Sequence, residues 1–326
     1  LYILPVCLVL KDKIIFYYFL INILKKLMEI KNPILYCCYN RIDNVKKSIT
    51  VLKKIKCHKI YIALDGPKNQ NDDFNKCLEV RKFIQDTKFN SKVEYLVRPK
   101  NLGCKLAIAG AIDWFFENVN KGIILEDDLI PCDDFFKFCD YGLDKYENDN
   151  KIMMISGTNY LGANVTSNKY HFSEHFLIWG WATWKRAWKT YDIEMETWKD
   201  PKERKKIQDR FSKKEFEFLN KKFNLYFNEY HDTWDIQWYY SCIKKNGLTL
   251  MPEANLVTNI GLDGTHSNSY YKTLFLNYGK IDTSNLISPT EIKVNKKIDM
   301  KIHNKFNFEN LILLKLKKFI KYFFKI

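Results

Sequence analysis

From residue 32 to residue 156 the chain alternates short apolar runs with longer stretches whose apolar positions recur every three or four residues. Ile34 to Tyr39, Lys59 to Leu64, Val93 to Val97, Gly122 to Leu125 and Ile152 to Ser156 read as strands. Asn44 to Ile55, Phe74 to Thr87, Lys105 to Asn118 and the stretch from Pro131 to about Tyr146 read as helices. Short connections between such units imply parallel strands with right-handed crossovers. The run before Glu126 is apolar at every position, as in a strand covered on both faces. The expected fold class is therefore α/β: a Rossmann-like, mostly parallel sheet flanked by helices.

Beyond residue 160 the texture changes. Residues 170–198 carry Trp179, Trp181, Trp184, Trp188 and Trp198, and a charged helical stretch follows. Then come Trp234-Asp235-Ile236-Gln237-Trp238 and a glycine-rich segment from Gly261 to His266. Trp184 and Trp188 are four apart and are expected to pack together on a helix. From Ile312 to Ile326 the lysines 315, 317, 318, 321 and 325 fall on one side of a helix, and Ile312, Leu316, Phe319, Ile320 and Phe323 on the other. That pattern suits a helix lying on an anionic membrane surface, with docking on the protein's own core as the alternative. At the other end, residues 1–10 and 14–24 are apolar but are split by Lys11-Asp12-Lys13. Neither run reaches the ~20 residues of a spanning helix, and no secretory signal pattern is present. We expect translation to begin at Met28, with a membrane-associated leader as the alternative.

The 326 residues, 46% of them hydrophobic, suffice for one large or two small domains. A net charge of +15 favours anionic partners such as phosphates or an acidic membrane. Nucleic acid is not expected, because the basic residues are scattered and no recognition module is present. The nine cysteines include no C-x-x-C and no Cys/His cluster at zinc spacing, so they read as reduced thiols of a cytoplasmic protein.

Candidate chemistry collects where the strands end. Asn40-Arg41, Asp65, Arg98 with Asn101, and Glu126-Asp127-Asp128 all follow predicted strands. In a parallel sheet these ends share the edge that faces the ligand crevice. Three adjacent carboxylates there repel one another and gain nothing from packing. They suit a hard divalent cation, Mn²⁺ or Mg²⁺, that in turn grips a diphosphate. The plainer reading of the triplet is a solvated loop.

Taken together, these residues resemble the GT-A-fold glycosyltransferases that use nucleotide sugars, and in particular the inverting N-acetylglucosaminyltransferase I type and its bacterial relatives. The resemblance covers roughly residues 33–270. It rests on Tyr39-Asn40-Arg41, the Asp65 turn, Arg98 with Asn101-Leu102-Gly103, the acidic triplet, Gly180-Trp181, Trp234-Asp235 and Gly264-Thr265-His266. It implies a GT-A fold in which residues 32–160 bind the nucleotide sugar and residues 161–290 bind the acceptor and carry catalysis. An N-terminal extension (1–31) and a basic amphipathic tail (291–326) flank them. Arg41 matches an arginine near the donor diphosphate, and Asp65 the acid that reads the uracil of a UDP-sugar. Asp127, with Glu126, would face ribose and sugar, and Asp128 would be the metal ligand. Asp235 matches the catalytic base. The pair of acids found in better-known members reads Asp235-Ile236 here, and Lys105 stands near where those members place a histidine. Asn40, Arg98, Asn101, Gly103 and Lys105 complete the implied donor site.

In an inverting displacement the acceptor hydroxyl attacks opposite the leaving diphosphate, and one carboxylate takes its proton. Asp235 suits that role; its alternative is a helix N-cap ahead of Ile236 to Lys245. Trp179 and Trp181 flank Gly180 and offer a sugar-stacking platform, with Trp234 beside the acceptor, while Gly264 and His266 suit a mobile lid. The expected function is a metal-dependent, inverting transfer of a sugar, such as an N-acetylhexosamine from a UDP donor, to a cell-surface glycan or glycolipid on the inner face of the cytoplasmic membrane. Rival readings are a retaining transferase, a nucleotidyltransferase, and a non-catalytic glycan-binding or membrane-associated protein.

Overall fold

The computed structural model describes residues 27–68, 71–161, 169–261 and 279–305. In chain order the strands are β1 (Met28–Glu29), β2 (Ile34–Cys38), β3 (Ile55–Lys56), β4 (Lys59–Leu64), β5 (Lys92–Val97), β6 (Lys121–Glu126), β7 (Leu129–Pro131), β8 (Ile152–Ser156), β9 (Tyr170–Ser173), β10 (Trp181–Trp184), β11 (Leu248–Pro252) and β12 (Val257–Asn259). The helices are α1 (Ile42–Leu52), α2 (Asn71–Asp86), α3 (Gly103–Asn118), α4 (Asp133–Lys145), α5 (Lys185–Trp188), α6 (Pro201–Arg210), α7 (Lys213–Asn228) and α8 (Asp235–Lys244). Residues 296–305 are also helical.

Eight strands form one mixed sheet in the order β5-β4-β2-β6-β10-β8-β11-β9. The first four are mutually parallel, as the βα alternation predicts. β10 then runs antiparallel to both β6 and β8. β11 is parallel to β8 and antiparallel to β9. Strands from the two halves of the chain are thus interleaved in a single sheet.

Side-chain alternation explains why helices cover both faces. Ile34, Tyr36, Ile60, Ile62, Ile123 and Leu125 pack on one face with residues of α1, α2 and α4. Leu35, Cys37, Tyr61, Ala63 and Ile124 pack on the other with α3, α5, α7 and α8. Strand side chains point to opposite faces at period two, so an all-apolar strand needs two covers. Each fully buried Ile or Leu contributes about 1.5–3 kcal/mol relative to exposure.

The tryptophan-rich segment corrects an expectation. Trp184 closes β10 and Trp188 closes α5, so no continuous helix joins them. Trp184 donates from Nε1 to the Leu143 carbonyl at 3.1 Å on the α4 face. Trp188 lies on the opposite face among Trp181, Trp234 and Trp238.

At the β9 edge a second charged cluster closes the fold. Glu174, 5% exposed, pairs with Arg210 at 2.5 Å and also with Lys296. Arg210 further donates to the carbonyls of Ile243 and Gly247 at 3.0 and 3.1 Å. This ties α6, the end of α8 and the 296–305 helix to the sheet.

The cysteines among the described residues are all free thiols. Among those residues no helix is long and apolar enough to cross a membrane. The apolar runs within 1–24 and the basic tail at 312–326 lie outside the described residues.

Candidate active site

Because β2, β4, β5 and β6 are parallel, Cys38, Leu64, Val97 and Glu126 end them at one edge of the sheet. β10 enters at the same edge, with Trp181 paired to Ile124, and the Gly180 carbonyl accepts from the Gly157 N–H at 2.7 Å. Gly180 has φ +66°, which a side chain would strain. β12 pairs with β7 just beyond the triplet, and the Ile260 N–H donates to the Asp128 carbonyl at 2.7 Å. Residues 259–261 are thereby held against Asp128. Gly264 and His266, the expected lid, follow them and lie outside the described residues.

Glu126, Asp127 and Asp128 sit at that edge with one cation on them. Arg41 donates from one guanidinium nitrogen to Asp127 and from the other to Asp128 at 3.1 Å. Asp127 is 1% exposed and also accepts from the Tyr39 N–H at 3.4 Å. Burial pushes Glu126 up to about 8, with the Asp128 charge adding to the rise and Arg41 opposing it. Burial likewise lifts Asp127 to about 6 against the pull of Arg41. Both shifts have one origin: neighbouring acids are held in a desolvated place where, among the described residues, Arg41 offsets only part of their charge. Arg41, expected on the donor diphosphate, is here committed to the triplet.

Asp65 forms a second knot. It is 9% exposed and accepts from Asn101 Nδ2 at 2.8 Å and from the Leu102 N–H at 3.3 Å. Burial raises its pKa despite those bonds. The carboxylate expected to read a base thus holds the turn before α3. Gly103 opens that helix at φ +77°. Lys105 reaches Glu194 at 3.2 Å, and Asn40 Nδ2 donates to Asp73 at 2.6 Å. Arg98 is half-buried, running beside Gly110 of α3.

Asp235 is the first residue of α8, half-buried, and accepts from the Thr233 hydroxyl. Trp234, rather than Asp235, occupies the N-cap position. The Asp235 charge acts on Glu126, Cys104 and Tyr191, so the proposed base and the triplet share one field. Trp181 and Trp234 are 1% and 2% exposed and stack on each other, ring centroids 5.5 Å apart. That corrects the platform expectation for Trp181 and the acceptor contact expected of Trp234: their faces are covered by each other and by Trp188 and Trp238. Trp179 is half-buried at the crevice edge, against Tyr160.

The sequence reasoning missed Asp73, Tyr191, Lys222 and Asp232. Asp73 accepts from Tyr39 Oη at 2.6 Å and so fixes the turn that carries Arg41. Tyr191 Oη donates to the Trp234 carbonyl at 3.1 Å. Lys222 Nζ lies 5.6 and 5.8 Å from the ring centres of Phe218 and Tyr239, and burial lowers its pKa against the opposing charge of Asp235. Asp232 accepts from the N–H groups of Cys104 and Lys105 at 2.9 and 2.8 Å. The one sequence signal for Asp232 was its place three residues before Asp235.

No protein-family model and no curated protein sequence matches the chain. Among solved structures, the chain is similar to HddC from Yersinia pseudotuberculosis at 16% identity, over 35% of this chain and 55% of that one, with a TM-score of 0.24. It is similar to the mannosyltransferase PcManGT from Pyrobaculum calidifontis, solved with GDP-Man and Mn²⁺, at 9% identity over 47% and 44% of the two chains, with a TM-score of 0.28. It is also similar to the glycosyltransferase GlyE of Streptococcus pneumoniae TIGR4 at 13% identity over 68% and 45%, with a TM-score of 0.33. The chain thus spans about half the length of these proteins, 55%, 44% and 45% in turn.

Proposed function

We propose that this protein is a glycosyltransferase that takes its sugar from a nucleotide-sugar donor, a UDP-sugar by the resemblance of Asp65. The reading is carried by one observation: three adjacent carboxylates end a strand at the crevice edge of the sheet, two of them paired with Arg41 and the third, Glu126, feeling its charge, with Asp235 in the same field. A surplus of hard oxygen ligands at that position fits Mn²⁺ or Mg²⁺. Asp128, with Glu126 beside it, would hold the ion. Among the described residues no three His, Cys, Asp or Glu side chains are placed so that together they could hold a metal ion. One or two carboxylate ligands would leave the ion's remaining positions to a diphosphate and water. When bound, such a cation supplies Lewis-acid stabilisation of the departing diphosphate.

The remaining chemistry belongs to the chain. The acceptor hydroxyl attacks the anomeric carbon opposite the departing diphosphate, a single displacement that inverts that centre, and Asp235 accepts its proton. Arg41 moves between the acids and the donor phosphates, to which its fork can donate two charge-assisted hydrogen bonds. Trp179 supplies an aromatic face for the sugar or acceptor. The acceptor in this reading is a cell-surface glycan or glycolipid at the cytoplasmic face of the membrane, reached through the basic tail.

The test is a nucleotide-sugar turnover screen on the protein and on Asp128→Ala, with Mn²⁺ or with EDTA, with and without a lipid extract as acceptor. Metal-dependent release of UDP from one donor, lost in Asp128→Ala, is the expected result. Silence with every donor and extract, together with equal UDP affinity in the two proteins, would overturn the reading.

A further inference from the structure

Asp232 stands outside the residues assigned above, in the loop before α8, and its contacts cross to the other half of the site. Both of its carboxylate oxygens are taken by backbone N–H groups of α3, Cys104 at 2.9 Å and Lys105 at 2.8 Å. The first N–H groups of a helix have no partner within it, and a carboxylate there is favoured by the helix dipole as well. The fit is close. A Cβ added to Gly103 would lie 2.8 Å from each Asp232 oxygen, and the φ of +77° there already excludes most side chains.

On its other side Asp232 leads directly to Asp235. Thr233 donates its hydroxyl to the Asp235 carboxylate. The Trp234 ring is stacked on Trp181, and its carbonyl accepts from Tyr191 at 3.1 Å. Those contacts hold the loop from the acceptor side. The pull of Asp232 comes instead from the turn that Asp65 organises through Asn101 and Leu102. Two carboxylates therefore grip consecutive residues of one turn, Asp65 from the sheet edge and Asp232 from the loop of the base.

We propose that Asp232 is a positioning residue that sets Asp235 at a fixed place relative to the donor edge, acting through the N-terminus of α3. This rests on the reading of Asp235 as the base. A shift of about 1 Å in a reacting group costs up to ~10²-fold in rate, so a clamp of this kind has kinetic weight although it touches no substrate.

The variants Asp232→Ala, Asp232→Asn, Gly103→Ala, Asp235→Asn and Asp232→Ala/Asp235→Asn are assayed for sugar transfer with Mn²⁺ and the donor found in the screen. Asp232→Ala is expected to lower kcat about 10- to 100-fold with donor KM within about twofold. Gly103→Ala is expected to lower kcat in the same direction. Asp232→Asn keeps one accepting oxygen and recovers part of the rate. The double variant is expected to be no slower than Asp235→Asn alone, because residues acting as a unit are not additive. A raised donor KM with unchanged kcat, or an additive double variant, overturns the proposal. Should Asp235→Asn transfer at the wild-type rate, the base reading itself fails. Should it be inactive while Asp232→Ala is fully active, only the positioning role fails. Amide hydrogen exchange reads the clamp without any turnover. Asp232→Ala should speed exchange at residues 104–105 and 233–236 together, and a change confined to 104–105 counts against the coupling.

Discussion

The molecule carries two charged clusters that are paired differently. At the β9 edge the Glu174 carboxylate pairs with two cations, Arg210 and Lys296, and its N–H donates to the buried Asp299. At the crevice edge, among the described residues, one cation, Arg41, pairs with two of three adjacent acids, Asp127 and Asp128. Both include carboxylates with little exposure to water, so burial alone does not separate them. What differs is whether charge is matched. Each Glu174 oxygen has a cation partner, which makes a structural fastening that is costly to break. A run of acids short of cations is met by protons, as at Glu126 and Asp127, or by a cation that displaces them.

Breaking the matched cluster should have the largest effect. Arg210→Met leaves Glu174 facing Lys296 alone and strips the Ile243 and Gly247 carbonyls of a donor. Loss of about 3–5 kcal/mol in denaturant unfolding is expected, with the turnover of the folded fraction unchanged. Asp128→Asn acts the other way round. It should cost at least a hundredfold in transfer, about 2.7 kcal/mol of barrier at about 1.36 per tenfold, without lowering the melting temperature. A melting temperature that falls as far as in Arg210→Met would make Asp128 a structural fastening too.

The clusters should also differ in the sign of their pH response. Glu126 and Asp127 hold their protons more tightly folded than unfolded, up to about 8 and about 6. Without added cation, stability should therefore fall as pH rises from about 4 through about 8, by several kcal/mol and mostly through Glu126, and Glu126→Gln should flatten that slope. Near the matched cluster, His171 on β9 is 4% exposed and burial depresses its pKa to about 4. Its share of stability is present above about 6.5 and is lost as pH falls towards 4, by about 2–3 kcal/mol. His171→Leu should remove the acid-side loss and leave the alkaline slope intact. The smallest effect is the most specific: Mn²⁺ at ten times its dissociation constant should add about 1.4 kcal/mol, with none added in Asp128→Asn.

How much of this was legible follows from the range of each signal. β4 and β8 appear with the bounds that their apolar runs give, Lys59–Leu64 and Ile152–Ser156, because a central strand is written in consecutive residues. β9, β10 and β11 were not read as strands. They mix aromatic, histidine and threonine residues over only four or five positions, too few for alternation to stand out, and β10 draws its stability from neighbours 57 residues or so away in the chain, as in the Trp181 to Ile124 pairing. The triplet and Arg41 were legible as residue types at strand ends. Their mutual pairing was not, since it joins positions 86 and 87 residues apart. Trp181 looked like a surface platform, and Trp234 like an acceptor contact, because a tryptophan in sequence carries no mark of what will stack on it. Asp232 was invisible for a related reason: its partners are backbone amides, which every sequence has.

The insertion of β10 between β6 and β8 bears on how the chain is made. β6 has a partner in β2 as soon as residue 126 leaves the ribosome, but its other side stays open until residues 181–184 arrive. β8 is worse placed, since both its neighbours, β10 and β11, come later in the chain. During synthesis this apolar strand therefore has two open sides until residues 181–184 arrive and one until residues 248–252, a template for pairing with another nascent chain. A fragment ending near residue 160 should aggregate where the full chain does not, and a pause in translation soon after residue 156 should lower the yield of soluble protein more than one after residue 252.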